Sequence, residues 1–90
     1  MTDSQQHYLL IINGKSAGNP ALREAVNEQR QAGMLITVRA TWEGGDAADI
    51  AEQSGAMGIT HVIACGGDGT VSEVMNGLMR LPHDRRPALG

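Results

Sequence analysis

The stretch THVIACGGDGTVSEV, residues 60–74, decides the fold class, because it sets a strand, a glycine loop and a helix in succession. Residues 60–65 are rich in apolar and β-branched side chains, which predicts a buried strand. The glycines in residues 66–70 predict a tight loop after that strand. A helix is then predicted by apolar side chains at helical spacing, which are Val71, Val74, Met75 and Leu78.

Two similar units precede this stretch. The apolar run His7–Asn13 predicts a buried parallel strand, since both of its faces are apolar. Asn19 and Pro20 are typical of a helix N-cap and first helical position, and Gly33 is typical of a helix end. A second strand is predicted over residues 34–40.

The remaining elements complete an alternating order. The second helix is predicted to open at Asp46 and to close at Gly55 or Gly58. A fourth strand is expected to start within residues 87–90. Repeated β–α units with short connections imply parallel strands and helices on both faces. The predicted fold class is therefore α/β, the first half of a doubly wound nucleotide-binding domain.

Composition excludes several classes of function. With 90 residues, 41% hydrophobic and 19% charged, the chain is expected to fold around one small core. A net charge of −3 and only two aromatic residues, Tyr8 and Trp42, argue against nucleic acid as a partner. The single cysteine, Cys65, cannot form an internal disulfide and is expected to act as a buried apolar residue. Neither a signal peptide nor a transmembrane segment is recognisable, so a cytoplasmic location is expected.

A ligand-binding site is expected at the carboxyl ends of the predicted strands. Open parallel sheets bind ligands at the carboxyl ends of their strands. Three loops are predicted there, over residues 14–19, 41–45 and 66–70. In the third loop, Gly66, Gly67 and Gly69 permit positive φ and close approach of backbone N–H groups to a ligand. The helix predicted to open at Thr70 adds its partial positive charge, so the loop is predicted to bind an anion, usually phosphate.

The same loop also has a purely structural interpretation. Residues 66–69 can form a plain turn, and Thr70-Val-Ser-Glu73 has the pattern of a capping box that only starts a helix. Asp68 places a carboxylate inside the predicted phosphate site, a repulsion that a Mg²⁺-bound nucleotide would relieve. The loop follows neither the dinucleotide fingerprint nor the P-loop pattern. Both interpretations, phosphate loop and turn with cap, stay open at this point.

The residues of this loop resemble a known family. Gly-Gly-Asp-Gly-Thr70 followed by Val-Ser-Glu-Val74 is similar to the signature of the diacylglycerol-kinase catalytic domain, which lipid and sphingosine kinases share. Residues 10–16, 39–43 and 87–90 resemble bacterial YegS-type lipid kinases, so the similarity runs from Leu9 to Gly90. The loop alone is only moderately specific, because NAD kinases carry it too.

The resemblance implies ATP- and Mg²⁺-dependent phosphoryl transfer to the hydroxyl of a membrane lipid of the diacylglycerol or phosphatidylglycerol class. It implies that residues 1–90 are the N-terminal part of the ATP-binding domain, without the family's β-rich second domain. The implied nucleotide contacts are Thr41, Gly66, Gly67, Asp68, Gly69, Thr70, Val71, Ser72 and Glu73. Asn13 is expected to help order the cleft, and Ser72 departs from the asparagine common in the family.

The catalytic base and the metal ligands of the family lie outside these residues, as does its next motif, Gly-Thr-x-Asn-Asp. No catalytic residue and no metal ligand is therefore predicted here. The chain alone is expected to lack kinase activity and to bind nucleotide weakly. An exposed sheet edge would favour self-association, and the lipid substrate implies a peripheral position at the inner membrane face.

Several further residues each have two possible roles. Lys15 and Arg39 could reach phosphate oxygens, although solvated side chains are the commoner case. Trp42 could stack on adenine or cover a strand end, and the internal methionines are expected in the core. Two other functions remain possible for the chain: an NAD kinase type with the same loop, and a non-catalytic α/β binding module.

Overall fold

The computed structural model describes residues 6–89 as four parallel strands and three α-helices. In chain order these are β1 (His7–Asn13), α1 (Pro20–Gln31), β2 (Leu35–Thr41), α2 (Asp46–Gln53), β3 (His61–Cys65), α3 (Asp68–Met79) and β4 (Ala88–Leu89). Short 3-10 turns occupy Ser16–Gly18, Ser54–Ala56 and His83–Arg85. The alternating α/β order confirms the predicted fold class.

The sheet has the strand order β2-β1-β3-β4, with β1 and β3 in its centre. Leu9 on β1 is in register with Thr37 on β2 and with Val62 on β3. The chain leaves β1 towards one edge and later returns to the other side of β1. This reversal is a topological switch point, where loops following the two central strands diverge and leave a crevice.

Both faces of β1 are buried, as its continuous apolar run predicts. Leu9 and Ile11 belong to the core that α2 and α3 form with the sheet. Leu10 and Ile12 alternate with them and face the side of α1. No residue of α1 is fully buried, and a groove of about 500 Å³ runs between this helix and the sheet. The tighter core therefore lies under α2 and α3.

The ends of the first two helices follow from local chemistry. The Asn19 side chain accepts hydrogen bonds from the N–H groups of Ala21 (2.9 Å) and Leu22 (3.4 Å), ahead of Pro20 at the first helical position. Gly33 has φ of +102°, a conformation that favours glycine just after a helix. The predicted start of α2 at Asp46 is confirmed.

The third helix differs from the prediction in two ways. It begins at Asp68 rather than at Thr70, with Gly67 as its N-cap. Its buried face consists of Val74, Gly77 and Leu78, whereas Met75 is 51% exposed. The predicted stripe is therefore only half buried, and the expectation that all internal methionines fill the core is wrong for Met75 and Met79.

The strand predictions need smaller adjustments. β2 and β3 each begin one residue later than predicted, and the expected fourth strand is present as a two-residue pairing with β3. Within residues 6–89 no helix has the length and apolarity needed to span a bilayer.

Candidate functional site

The carboxyl ends of β1 and β2, together with the first two turns of α3, surround one open cleft of about 550 Å³. Residues 13–15 line it after β1, residues 41–44 line it after β2, and Thr70 and Glu73 line it from α3. The cleft lies at the topological switch point of the sheet. The structure thus brings together residues from all three loops that the sequence predicted to converge.

The predicted nucleotide contacts divide into two groups. Thr41, Thr70 and Glu73 line the cleft. The others lie at the solvent-exposed surface at the start of α3, directly next to Thr70 in the chain: Gly66, Gly67, Asp68, Gly69, Val71 and Ser72. The site is therefore an open surface at the head of the helix, continuous with the cleft wall.

Gly66 is the tightest point of the glycine loop. A Cβ atom at Gly66 would lie 2.6 Å from Thr70 Oγ1 and 3.2 Å from Asn13 Nδ2. At Gly67 and Gly69 a Cβ atom would meet nothing within 4 Å. Gly66 thus lets the glycine loop approach the end of β1, while the space above Gly67 and Gly69 is open to a ligand.

The expectation of positive φ in this loop is wrong. In the described part of the chain, the glycines with positive φ are Gly33, Gly45 and Gly58. Gly67 has φ of −82° and ψ of −174°, an extended conformation open to any residue. The loop therefore needs glycine because glycine has no side chain, and not because of an unusual backbone conformation.

The first turn of α3 is arranged without a capping box. The Gly67 carbonyl accepts from the N–H groups of Thr70 (3.0 Å) and Val71 (3.3 Å), which closes the first helical turn. Asp68 stands in that turn, where a carboxylate interacts favourably with the helix dipole. The Glu73 carboxylate bonds elsewhere, so the predicted Thr70–Glu73 capping pattern does not form. The N–H groups at the head of α3 still face the exposed surface, as at any helix N-terminus.

Asn13 orders the loop after β1, as expected. Its Oδ1 atom accepts a hydrogen bond of 2.8 Å from the Ser16 N–H group. The side chain also lies next to Gly66. One amide group therefore connects the end of the first strand with the glycine loop.

Asp46 orders the loop after β2. Its Oδ2 atom accepts hydrogen bonds of 2.9 Å from the N–H groups of both Glu43 and Trp42. These two bonds, that from Glu43 first, hold the pKa of the Asp46 carboxyl below its ordinary value of 3.8. Asp46 therefore has a role in the loop besides opening α2.

Glu73 joins the loop after β2 to α3. Its Oε1 atom accepts a hydrogen bond of 2.9 Å from the Gly45 N–H group, which is 28 residues away in the chain. Gly45 has φ of +92°, a conformation that glycine adopts readily. The sequence does not predict this contact, because Glu73 matches both a capping box and the phosphate-contact residues that the family resemblance implies. The signal that could have suggested it is the Gly-Gly pair before Asp46, typical of a turn with an exposed N–H group.

The other candidate residues lie in different places. Lys15 lines the cleft, whereas Arg39 is exposed on β2, two residues before the strand ends. Trp42 is 92% exposed, so it does not cover a strand end. Cys65 is half-buried as the last residue of β3. Within residues 6–89, no group of three acidic, histidine or cysteine side chains comes together that could hold a metal ion.

The fold and the cleft define a class: an α/β domain with an open crevice at the switch point of a parallel sheet. Within that class, the chain belongs to the diacylglycerol kinase catalytic domain family, which it matches over residues 7–90. The resemblance predicted from the glycine loop is confirmed.

Individual relatives agree with this family. Proteins named "Probable lipid kinase YegS-like" from Yersinia pestis (strain Pestoides F) and Yersinia pseudotuberculosis serotype O:1b (strain IP 31758) are 52% identical over 84 residues. A crystal structure of "a putative diacylglycerol kinase from Bacillus anthracis str. Sterne" has a TM-score of 0.74 at 31% identity and covers 97% of this chain. The chain spans 28% of the Yersinia proteins and 30% of the Bacillus chain.

Proposed function

We propose that the chain supplies the nucleotide-phosphate site of an ATP- and Mg²⁺-dependent lipid kinase. The observation that supports this proposal best is the open space above Gly67 and Gly69, at the head of α3 and beside the cleft. A phosphate group there would accept hydrogen bonds from backbone N–H groups and interact favourably with the helix dipole. Family membership supports the same chemistry.

The chain's residues would bind and orient the nucleotide. Within residues 66–73, the backbone N–H groups that precede Thr70 would hold the phosphates, because those of Thr70 and Val71 bond to the Gly67 carbonyl. Thr41 would contact the nucleotide from the opposite wall. ATP supplies the phosphoryl group that passes to the lipid hydroxyl. Such transfer depends on positioning and charge neutralisation more than on covalent chemistry, and these residues contribute positioning.

The described residues do not by themselves fit a metal site, because no three suitable ligands converge within residues 6–89. We propose that Mg²⁺ enters bound to the nucleotide phosphates, close to the exposed Asp68 carboxylate. Other parts of a longer protein would bind the lipid, of the diacylglycerol or phosphatidylglycerol class. They would also supply the base that activates its hydroxyl. A cytoplasmic protein bound peripherally at the inner membrane face would meet such a substrate.

A titration of the ¹⁵N-labelled chain with Mg-ATP, followed by NMR, tests the nucleotide site. We expect weak binding, with shifts at Thr41 and at the amides of residues 66–73. Asp68→Ala is expected to alter the Mg²⁺ dependence of these shifts. Titration with NAD is the control: stronger shifts with NAD would favour the NAD kinase type. An absence of shifts with either nucleotide, from a chain that unfolds cooperatively, would contradict the proposal and favour a non-catalytic module.

A further inference from the structure

Two walls of the cleft are joined by one carboxylate. Glu73, in the second turn of α3, accepts a 2.9 Å hydrogen bond from the N–H group of Gly45. Gly45 is the last residue of the loop that carries Thr41 and Trp42, both of which line the cleft. This bond therefore connects the loop after β2, on one wall of the cleft, to α3, the helix that follows the glycine loop.

The segment between β2 and α2 is held at two points. Asp46, the first residue of α2, accepts from the N–H groups of Trp42 and Glu43, which ties the start of the segment to that helix. Glu73 fixes the far end, at Gly45, to another element. The segment is joined at its ends to β2 and to α2, and α2 packs against α3. The Glu73 bond adds a direct link from the last residue of the segment to α3.

The carboxylate of Glu73 is poorly suited to contact phosphate directly. Two anionic groups at close range repel each other, and the Glu73 Oε1 atom is already engaged by Gly45. A hydrogen bond from an N–H group to an ionised carboxylate is stronger than one between neutral groups. The geometry thus favours a role through Gly45 over a role on the ligand.

We infer that Glu73 is a positioning residue, which sets the distance between Thr41 and the glycine loop and thereby the width of the nucleotide cleft. This inference rests on the proposed function and deepens it. A second consequence concerns charge: the benefit of Glu73 to nucleotide affinity comes from its hydrogen bond, while its negative charge opposes phosphate binding. Removal of the charge alone should therefore raise the nucleotide affinity, whereas removal of the hydrogen bond should lower it.

Three variants separate these effects. Glu73→Ala removes both the charge and the bond, and we expect the affinity for Mg-AMP-PNP to fall about three- to tenfold. Glu73→Gln keeps an oxygen that can accept from Gly45 and removes the charge, so its affinity should equal or exceed that of the wild type. Glu28→Gln removes an exposed carboxylate on α1, outside the cleft, and it should leave binding unchanged.

The measurement is NMR on the ¹⁵N-labelled chain, first without nucleotide and then during titration with Mg-AMP-PNP. Without nucleotide, the Gly45 amide should exchange slowly with solvent in the wild type and in Glu73→Gln, and quickly in Glu73→Ala. The indole N–H signal of Trp42, the single tryptophan, reports the state of the loop in the same spectra.

The possible results are distinct. Slow Gly45 exchange in Glu73→Ala, or equal affinity of Glu73→Ala and wild type, would overturn the positioning role. Loss of affinity in Glu73→Gln as large as in Glu73→Ala would also overturn it, and would point to a charge that acts on the ligand or its metal. If the wild type fails to bind the nucleotide, the proposed function fails, and the contrast in Gly45 exchange then shows whether the loop contact itself exists.

Discussion

Gly66 and Gly67 are adjacent in the chain, yet the structure assigns them different roles. A methyl group at Gly66 would press on the Thr70 side chain at 2.6 Å and on the Asn13 amide at 3.2 Å. At Gly67 the same methyl group would meet no protein atom within 4 Å and would occupy the space proposed for phosphate. One glycine is needed for packing, and the other for access to the ligand.

This difference predicts a contrast between two alanine variants. Gly66→Ala should lower the free energy of unfolding by about 1–3 kcal/mol, because the packed neighbours must shift. Gly67→Ala should change it by no more than about 0.5 kcal/mol, yet weaken Mg-ATP binding. Urea denaturation and nucleotide titration of both variants check the prediction. Unimpaired binding by a well-folded Gly67→Ala would argue that phosphate does not lie above this loop.

Asp46 predicts a pH dependence of the loop after β2. Its pKa is lowered in the folded chain, so its two hydrogen bonds stabilise the loop above pH 3.8 and are lost as the pH falls through the lowered pKa. Trp42 emission should therefore stay constant from pH 7 to about pH 4 and change below pH 3.8. Circular dichroism on the same samples separates this change from global unfolding.

Asp46→Asn is the control, since it keeps an acceptor oxygen and cannot titrate in this range. Its Trp42 emission should show no transition apart from that of unfolding. A transition in the wild type centred well above pH 3.8 would contradict the assignment to Asp46.

Among the helices, α2 and α3 pack most closely, and Gly77 makes this possible. A Cβ atom at Gly77 would overlap the carbonyl group of Ala48 on α2. This neighbour is backbone and cannot rotate away, so the two helices would have to separate. Arg80 reinforces the same contact near the end of α3, with ion pairs of 3.1 Å to Asp49 and 3.0 Å to Glu52.

We therefore expect Gly77→Ala to destabilise the fold by about 2–3 kcal/mol. Gly18→Ala is the matched control, because a Cβ atom there would meet nothing within 4 Å, and it should leave stability nearly unchanged. Thermal and urea unfolding of both variants give the comparison. Equal stability of the two variants would contradict the close helix contact.

Local sequence signals predicted some elements better than others. The first strand and the start of α1 were predicted correctly, because a two-faced apolar run and an Asn-Pro cap each act within a few residues. The start of α3 was not, because Thr70 and Glu73 match a capping box whose glutamate is instead engaged by a residue 28 positions away. Such a contact depends on how the sheet assembles, which local spacing does not encode.

The same limit applies to the site. Convergence of the three loops followed from the rule for parallel sheets, and the cleft confirms it. The separate roles of Asp46 and Glu73 did not follow, since each depends on the exact path of the segment between β2 and α2. The assignment of residues 66–73 and Thr41 to nucleotide remains a prediction.

At the scale of the whole molecule, α3 and the edge strand β4 each expose apolar side chains. Val71, Met75 and Met79 follow each other at i, i+4 and i+8 and are 37%, 51% and 65% exposed. Leu89, on the edge strand β4, is also exposed. Exposed apolar side chains and unpaired edge strands both promote association with other chains.

We predict that the 90-residue chain self-associates as its concentration rises. Replacing Met75 and Met79 together by lysine should shift the equilibrium towards monomer, because the lysines oppose burial of this surface. Sedimentation velocity measures the change, and Leu35→Lys on the opposite edge strand serves as control. A wild-type chain that stays monomeric throughout would contradict the prediction.

The most direct test of the central claim is phosphate transfer by the protein expressed from its complete reading frame. The protein is incubated with labelled ATP, Mg²⁺ and mixed lipid micelles, beside an Asp68→Ala variant and a reaction that contains NAD in place of lipid. We predict label in the lipid fraction, lost in the variant, and no transfer by the 90-residue chain alone. Label in NAD only, or in neither acceptor, would contradict the assignment of this chain to a lipid kinase.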